Sequence, residues 1–293
     1  MKITNSLSGK MFDTANILFL GLFSLCAFVP FLYIIGGSFA TDAELMARPL
    51  LLIPKTISLD SYRYIFTTNM LYRSIFVSIY ITVIGTGVNL FFTFTMAYAL
   101  SRNYLAGRNL VMNLVIFSML FSGGLIPSYL VVKELGLLNT YWAVMLPGAI
   151  SAFNMIIVKT FFQELPVELL ESARIDGCSD LGVLWRIVLP LSKPIMATFA
   201  LFYAVGHWND FFSAMIYLDD NTKWPLQVVL RQIVLLSQGT IGSTVDMDPN
   251  FVKPPDQSIK MAVIIVGTVP IMLVYPFLQK HFAKGVLIGA LKG

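Results

Sequence analysis

The chain has 293 residues, of which 57% are hydrophobic and 12% charged, with a mean hydropathy of +0.76. A soluble domain carries roughly 25% charged residues, so this composition excludes water as the main solvent and places the chain in a lipid bilayer. The net charge of +4 does not indicate a nucleic-acid partner, because the Lys and Arg are scattered between apolar runs rather than gathered into a stripe.

A membrane helix needs about 20 residues to cross a hydrocarbon layer of roughly 30 Å, and lipid offers no partner to an unpaired backbone group. Charge-free intervals therefore predict the spans. The basic N-terminus imitates a signal peptide, but the uncharged run from Thr14 to Thr41 is longer than an h-region of about 7 to 15 residues and lacks a small-x-small cleavage pattern. It predicts a retained first span at about 15–39. A polar loop, 40–73, follows. The next three spans are expected at about 74–101, 109–132 and 139–162, from the charge-free intervals between Arg73 and Arg102, Arg108 and Lys133, and Glu134 and Lys159, the last span running just past Lys159. Gly85, Gly87, Gly123, Gly124, Pro147 and Gly148 interrupt them and read as tight helix packing.

Residues 163–193 read as two short helices joined by a turn. Pro166 suits the first helical position, and Glu168 and Glu171 favour the positive end of the helix dipole. Arg174 is expected to pair with Glu171 one turn earlier. Gly177 is the left-handed residue that stops the first helix, and Ser179 caps the second. Leu181, Leu184, Trp185 and Val188 give the second helix one apolar stripe, with Pro190 ending it and Pro194 opening the next span.

The fifth span, 194–218, contains His207-Trp208-Asn209-Asp210. An ionisable group within a span usually faces a polar interior or a water-filled path. Asn209 and Asp210 therefore either line a translocation path or gate, or bury an interhelical hydrogen bond, while His207 reads as packing. A second polar loop, 219–258, holds Leu226, Val229, Leu230 and Val234 at mostly helical spacing, which predicts an interfacial helix or a docking surface. The sixth span is expected at 260–279. Six spans put both termini on one side, but Lys and Arg are too evenly divided between the loops to set orientation. Cys26 and Cys178 lie far apart with no metal-type cluster, so neither disulfide nor metal chemistry is expected.

Glu171, Ser172 and Ala173, followed by Gly177, Ile187, Leu189 and Pro190 at fixed offsets, resemble the "EAA" loop of permease subunits in binding-protein-dependent ABC importers. Ser172 replaces the usual second Ala. The resemblance implies an all-α membrane protein with the type I importer fold, one transmembrane domain over 1–293. It implies a cytoplasmic loop whose first short helix sits in a cleft of an ATPase subunit, with Arg174 and Asp176 in the same stretch. The tail resembles that of the maltose-type subunit, which implies ATPase contacts at Gly289, Lys292 and Gly293. ISLDSYRYIF and HWNDFF are similar to sugar-permease sequences, and TKWPLQVVLRQIV looks like the branch that carries complex polysaccharide fragments such as alginate.

The implied assembly is a second homologous permease, two ATPase subunits and an extracytoplasmic solute-binding protein in the inner membrane of a bacterium, with both termini cytoplasmic. No G-x-x-x-x-G-K-[ST] occurs, so ATP and Mg are expected on the partner ATPases and no cofactor on this chain. No catalytic motif suggests an enzyme. The alternatives are an importer permease for another small solute and an ion-gradient-driven transporter; the latter needs paired midplane acids, where only Asp210 is available.

Overall fold

The computed structural model describes residues 7–48, 50–67, 69–237 and 257–290, and every regular element among them is helical. In chain order these are α1 (Leu7–Ser38), α2 (Asp42–Ala47), α3 (Asp60–Thr67), α4 (Asn69–Ser101), α5 (Arg108–Leu120), α6 (Leu125–Glu134), α7 (Trp142–Met145) and α8 (Ala152–Gln163). Then come α9 (Val167–Ile175), α10 (Asp180–Val183), a π-turn (Leu184–Val188), α11 (Leu189–Leu191), α12 (Lys193–Asn209), α13 (Phe212–Tyr217), a 3₁₀ turn (Asn221–Lys223), α14 (Leu226–Ser237) and α15 (Gln257–Ala290).

Three stretches are long and apolar enough to cross a membrane unaided: Gly9–Ser38, Asn69–Ser101 and Gln257–Val274. A fourth arises if Asp180–Leu191 and Lys193–Asn209, bent by 84°, are taken together. The expected continuous spans at 109–132, 139–162 and 194–218 are each broken. The first stops at Leu120 and restarts at Leu125, with Gly124 at φ +85° in the gap. The second is interrupted around Pro147 and Gly148, and Ser151 then accepts from the Asn154 amide to start α8. The third breaks at Asp210. An unbroken charge-free run is compatible with a helix but does not demand one; Gly and Pro choose where the backbone leaves helical geometry.

The contacts form two compact units, one drawn from Met1–Asn69 and Leu230–Val269, the other from Met70–Val229 and Pro270–Gly293. In the first, Ala40, Leu45 and Leu51 bury around Met261. The Tyr62 hydroxyl shares a 2.8 Å hydrogen bond with Ser38, and Asp42 accepts from the Ser258 amide at 3.0 Å. Most of α1 is exposed apolar surface, as expected of a helix whose solvent is lipid.

The second unit holds the main core. Phe94, Ala97, Tyr98 and Leu100 of α4 meet Met155, Val158 and Phe162 of α8, together with Leu170, Val183, Leu184, Val188, Phe199 and Tyr203. A smaller cluster joins Val77 and Ile81 of α4 to Val144, Met145, Ala214, Leu218 and Val228. This corrects the reading of 226–234 as an interfacial or docking helix. Leu226, Val228 and Val229 are buried in the protein, and the Leu226 amide donates to Ser78 of α4 at 2.8 Å. Periodicity marks an apolar face without saying whether protein or lipid covers it. The side chain of Val234 lies outside the described residues.

Candidate functional site

Two places carry chemistry: the bent segment 163–193, and a cavity along α12 whose mixed lining includes several polar side chains. In the first, α9 is closed by a paired C-terminal motif. The Cys178 amide donates to the Ala173 carbonyl at 2.9 Å and the Gly177 amide to Arg174 at 3.0 Å, with Gly177 at φ +81°. Ser179 then accepts from the Gly182 amide at 3.3 Å to open α10. Glycine is required by the backbone angle alone, since a Cβ there meets nothing within 4 Å.

Arg174 does not pair with Glu171. Its guanidinium binds Asp180 at 2.8 Å, lies 4.5 Å from the Tyr104 ring centroid and donates to the Tyr104 hydroxyl, which in turn donates to Asp180 at 3.0 Å. The Arg174 hydrogen bond, ahead of the Tyr104 one, holds the Asp180 carboxyl below its usual range. Glu171, Ser172 and Asp176 are exposed, and Ala173 packs against the core edge.

Pro190 does not end the second helix. A π-turn precedes it, with the Leu189 amide reaching back to Leu184, and this wider register accommodates a residue that has no N–H. The helix continues through Pro190 to Leu191. The corner into α12 is held by buried Ser192, whose hydroxyl donates to the Val188 carbonyl at 2.6 Å. The expected stripe is split: Leu184 and Val188 are buried, whereas Leu181 is 67% and Trp185 56% exposed. Ile187 and Leu189 pack against the core at its edge.

The cavity measures about 540 Å³ and is lined by Asn89, Pro147, His207, Asn209, Asp210 and Ser213 among others. Asp210 accepts from the Ser213 amide at 3.1 Å, which caps the turn into α13 rather than joining two helices. Asn209 donates to its own helix, at the Val205 carbonyl. The interhelical hydrogen bond falls instead on His207, whose Nε2 is 2.5 Å from the Asn89 side-chain oxygen. The Asn89 amide nitrogen donates to the carbonyls of Gly148 and Ala149, at 2.7 and 3.0 Å. One carboxamide thus ties α4, the broken 146–151 segment and α12. Asn89 escaped the sequence reading because it carries no charge, yet it is the single carboxamide in residues 74–101. Gly289 lies on α15, while Lys292 and Gly293 fall outside the described residues.

Residues 4–288 match the family model of the binding-protein-dependent transport system inner membrane component. The chain is 63% identical to Protein LplC of Bacillus subtilis, over 99% of this chain and 97% of that protein. It is 55% identical to the polygalacturonan/rhamnogalacturonan transport system permease protein YtcP of the same organism, over 98% of this chain and all of that one. A chain in the crystal structure of a bacterial ABC transporter involved in the import of the acidic polysaccharide alginate superposes with a TM-score of 0.87, at 31% identity over 96% of this chain and 100% of that chain. The chain belongs to the binding-protein-dependent transport system inner membrane components, the permeases of ABC importers, and is a transport subunit rather than an enzyme.

Proposed function

We propose that this chain is one of the two permease subunits of an ATP-driven importer that takes up oligosaccharides delivered by an extracytoplasmic binding protein. The observation that carries the proposal is the bent unit running from α9 through Gly177, the π-turn and Ser192 into α12. A short exposed helix is there tied by hydrogen bonds and buried side chains to a helix that lines a cavity containing His207, Asn209 and Asp210. Such a unit transmits a push as a rigid piece. In this reading 163–193 is a cytoplasmic coupling loop in which Glu171, Ser172, Ala173, Arg174, Asp176 and Gly177 meet an ATPase cleft. Ile187, Leu189 and Pro190 carry its motion onward.

The same reading places six spans near the predicted intervals, with broken helices completing three of them and both termini in the cytoplasm. A second, homologous permease and two ATPases bearing ATP and Mg complete the assembly, with Gly289, Lys292 and Gly293 reaching toward the ATPases. Asn209 and Asp210 face the path. The named cargoes of the 55% and 31% identical relatives are both polymers containing uronic acids, which favours fragments of an acidic polysaccharide. Deleting the chain from its host and following labelled oligogalacturonides, oligoalginates and neutral oligosaccharides tests this. Selective loss of an acidic oligosaccharide is expected; unchanged uptake of every saccharide, with loss of an amino acid or phosphate instead, overturns the cargo assignment.

A further inference from the structure

We infer that Tyr104 is a positioning residue for coupling: with Arg174 and Asp180 it clamps the turn after α4 to the 163–193 loop, so that motion of α9 reaches α4 as well as α12. The inference rests on the coupling role proposed above.

Neither Tyr104 nor Asp180 belongs to the loop motif, and the geometry brings both to Arg174. Only one side chain of α9, Leu170, is buried. Ala173 adds only a contact at the core edge, so α9 is held by few apolar contacts and its glycine turn, and a polar group beside that turn gives it a second fixing against swinging. Arg174, in the last turn of α9, supplies that fixing through the Tyr104 ring, the Tyr104 hydroxyl and the Asp180 carboxylate at once.

Tyr104 is more than half exposed, so the backbone rather than packing sets where its ring lies. The turn that carries it is tight, with amide-to-carbonyl bonds from Arg102 to Ala99, Leu105 to Arg102 and Arg108 to Leu105. Its neighbour Arg102 makes a second tie, donating to the Phe162 carbonyl at 3.3 Å while its guanidinium lies 4.8 Å from the Tyr98 ring centroid. The end of α4 therefore grips the loop twice, just before it begins and at the close of α9. Asn89 lies twelve residues back along α4 from Ser101, about 18 Å at 1.5 Å per residue, where it meets His207 of α12. A displacement of α9 thus arrives at the cavity from two sides.

Exposed ion pairs contribute little to folding, so a clamp of this kind reveals itself in coupling and leaves melting almost unchanged. The test uses the complete transporter in proteoliposomes, with Cys26 and Cys178 replaced by Ser and a single reporter cysteine at Ser172→Cys. Tyr104→Leu and Asp180→Asn should each lower sugar imported per ATP hydrolysed by about two- to fivefold. Tyr104→Phe, which keeps the ring, should lie between them and wild type, with melting and hydrolysis rates close to wild type in all three. Unchanged import per ATP in Tyr104→Leu and Asp180→Asn, while the reporter still cross-links to an ATPase, overturns the clamp and leaves the coupling role standing. Failure of the reporter to cross-link in the chain carrying wild-type Tyr104 and Asp180 overturns the coupling role itself.

Discussion

Replacing Gly85 by Ala puts a methyl group where His207 already sits. A Cβ built on Gly85 lies 2.6 Å from His207 Nε2, 2.8 Å from Cε1 and 2.9 Å from Cδ2. The closer carbon is about 0.7 Å inside the ~3.5 Å at which carbon contacts become favourable. The imidazole has to move, and moving it breaks the 2.5 Å hydrogen bond to Asn89. Overpacking costs about 1–3 kcal/mol and the lost hydrogen bond about 0.5–1.5 kcal/mol, against a gain of about 1 kcal/mol from replacing Gly by Ala within a helix. The expected net effect is a destabilisation of about 0.5–3.5 kcal/mol. Gly87, one half-turn along the same helix, has nothing within 4 Å of a built Cβ and serves as the control. Thermal unfolding of the complex in lipid nanodiscs should show Gly85→Ala melting below wild type and Gly87→Ala at or above it. If Gly85→Ala melts at or above wild type, the ring is free to swing aside and the packing argument for His207 fails.

Asn89→Leu removes the partner of His207 and of the Gly148 and Ala149 carbonyls, so melting should fall by the equivalent of about 1–3 kcal/mol. Asp210→Asn retains an oxygen for the Ser213 amide and should melt like wild type, whereas Asp210→Ala should lose about 1 kcal/mol with the cap. A changed transport rate in Asp210→Asn then reports its charge on the path, and an unchanged rate in uptake assays leaves only the capping role. Gly177→Val should weaken ATPase coupling and cost about 1–3 kcal/mol through its left-handed backbone, with Gly177→Asn milder in the same hydrolysis and melting assays. Because Arg174 lowers the folded-state pKa of Asp180, the pair contributes fully above the ordinary carboxylate range and loses that contribution as pH falls through the lowered value. Both side chains are at least one-third exposed, so the contribution is about 0–1 kcal/mol, and the melting gap between wild type and Asp180→Asn should shrink in acid.

Features set by neighbours in sequence were legible, and those set by neighbours in space were not. Gly177 and Ser179 follow from turn and cap chemistry, and the structure places both as expected. Arg174 had Glu171 within a turn, but the turn after α4 delivers Tyr104 and the second helix delivers Asp180, a stronger combination that no local rule contains. Pro190 is a helix breaker by local rules, and the π-turn before it absorbs the missing N–H. The span interiors carry a weak signal because one charge-free run suits a straight helix, two short helices or a buried bend. Gly124, Pro147 and Gly148 mark where the runs break, yet the same residues also occur in unbroken packed helices. His207 and Asn89 lie 118 residues apart, so the bond between them became visible only in three dimensions.

Reconstitution tests the proposed mechanism most directly. Proteoliposomes holding the chain with its permease partner, both ATPases and the binding protein should accumulate labelled oligosaccharide when ATP is added, and accumulation should cease when the ATPases are left out. Saccharide flux through the chain with no ATPase present, driven by an ion gradient alone, would contradict it.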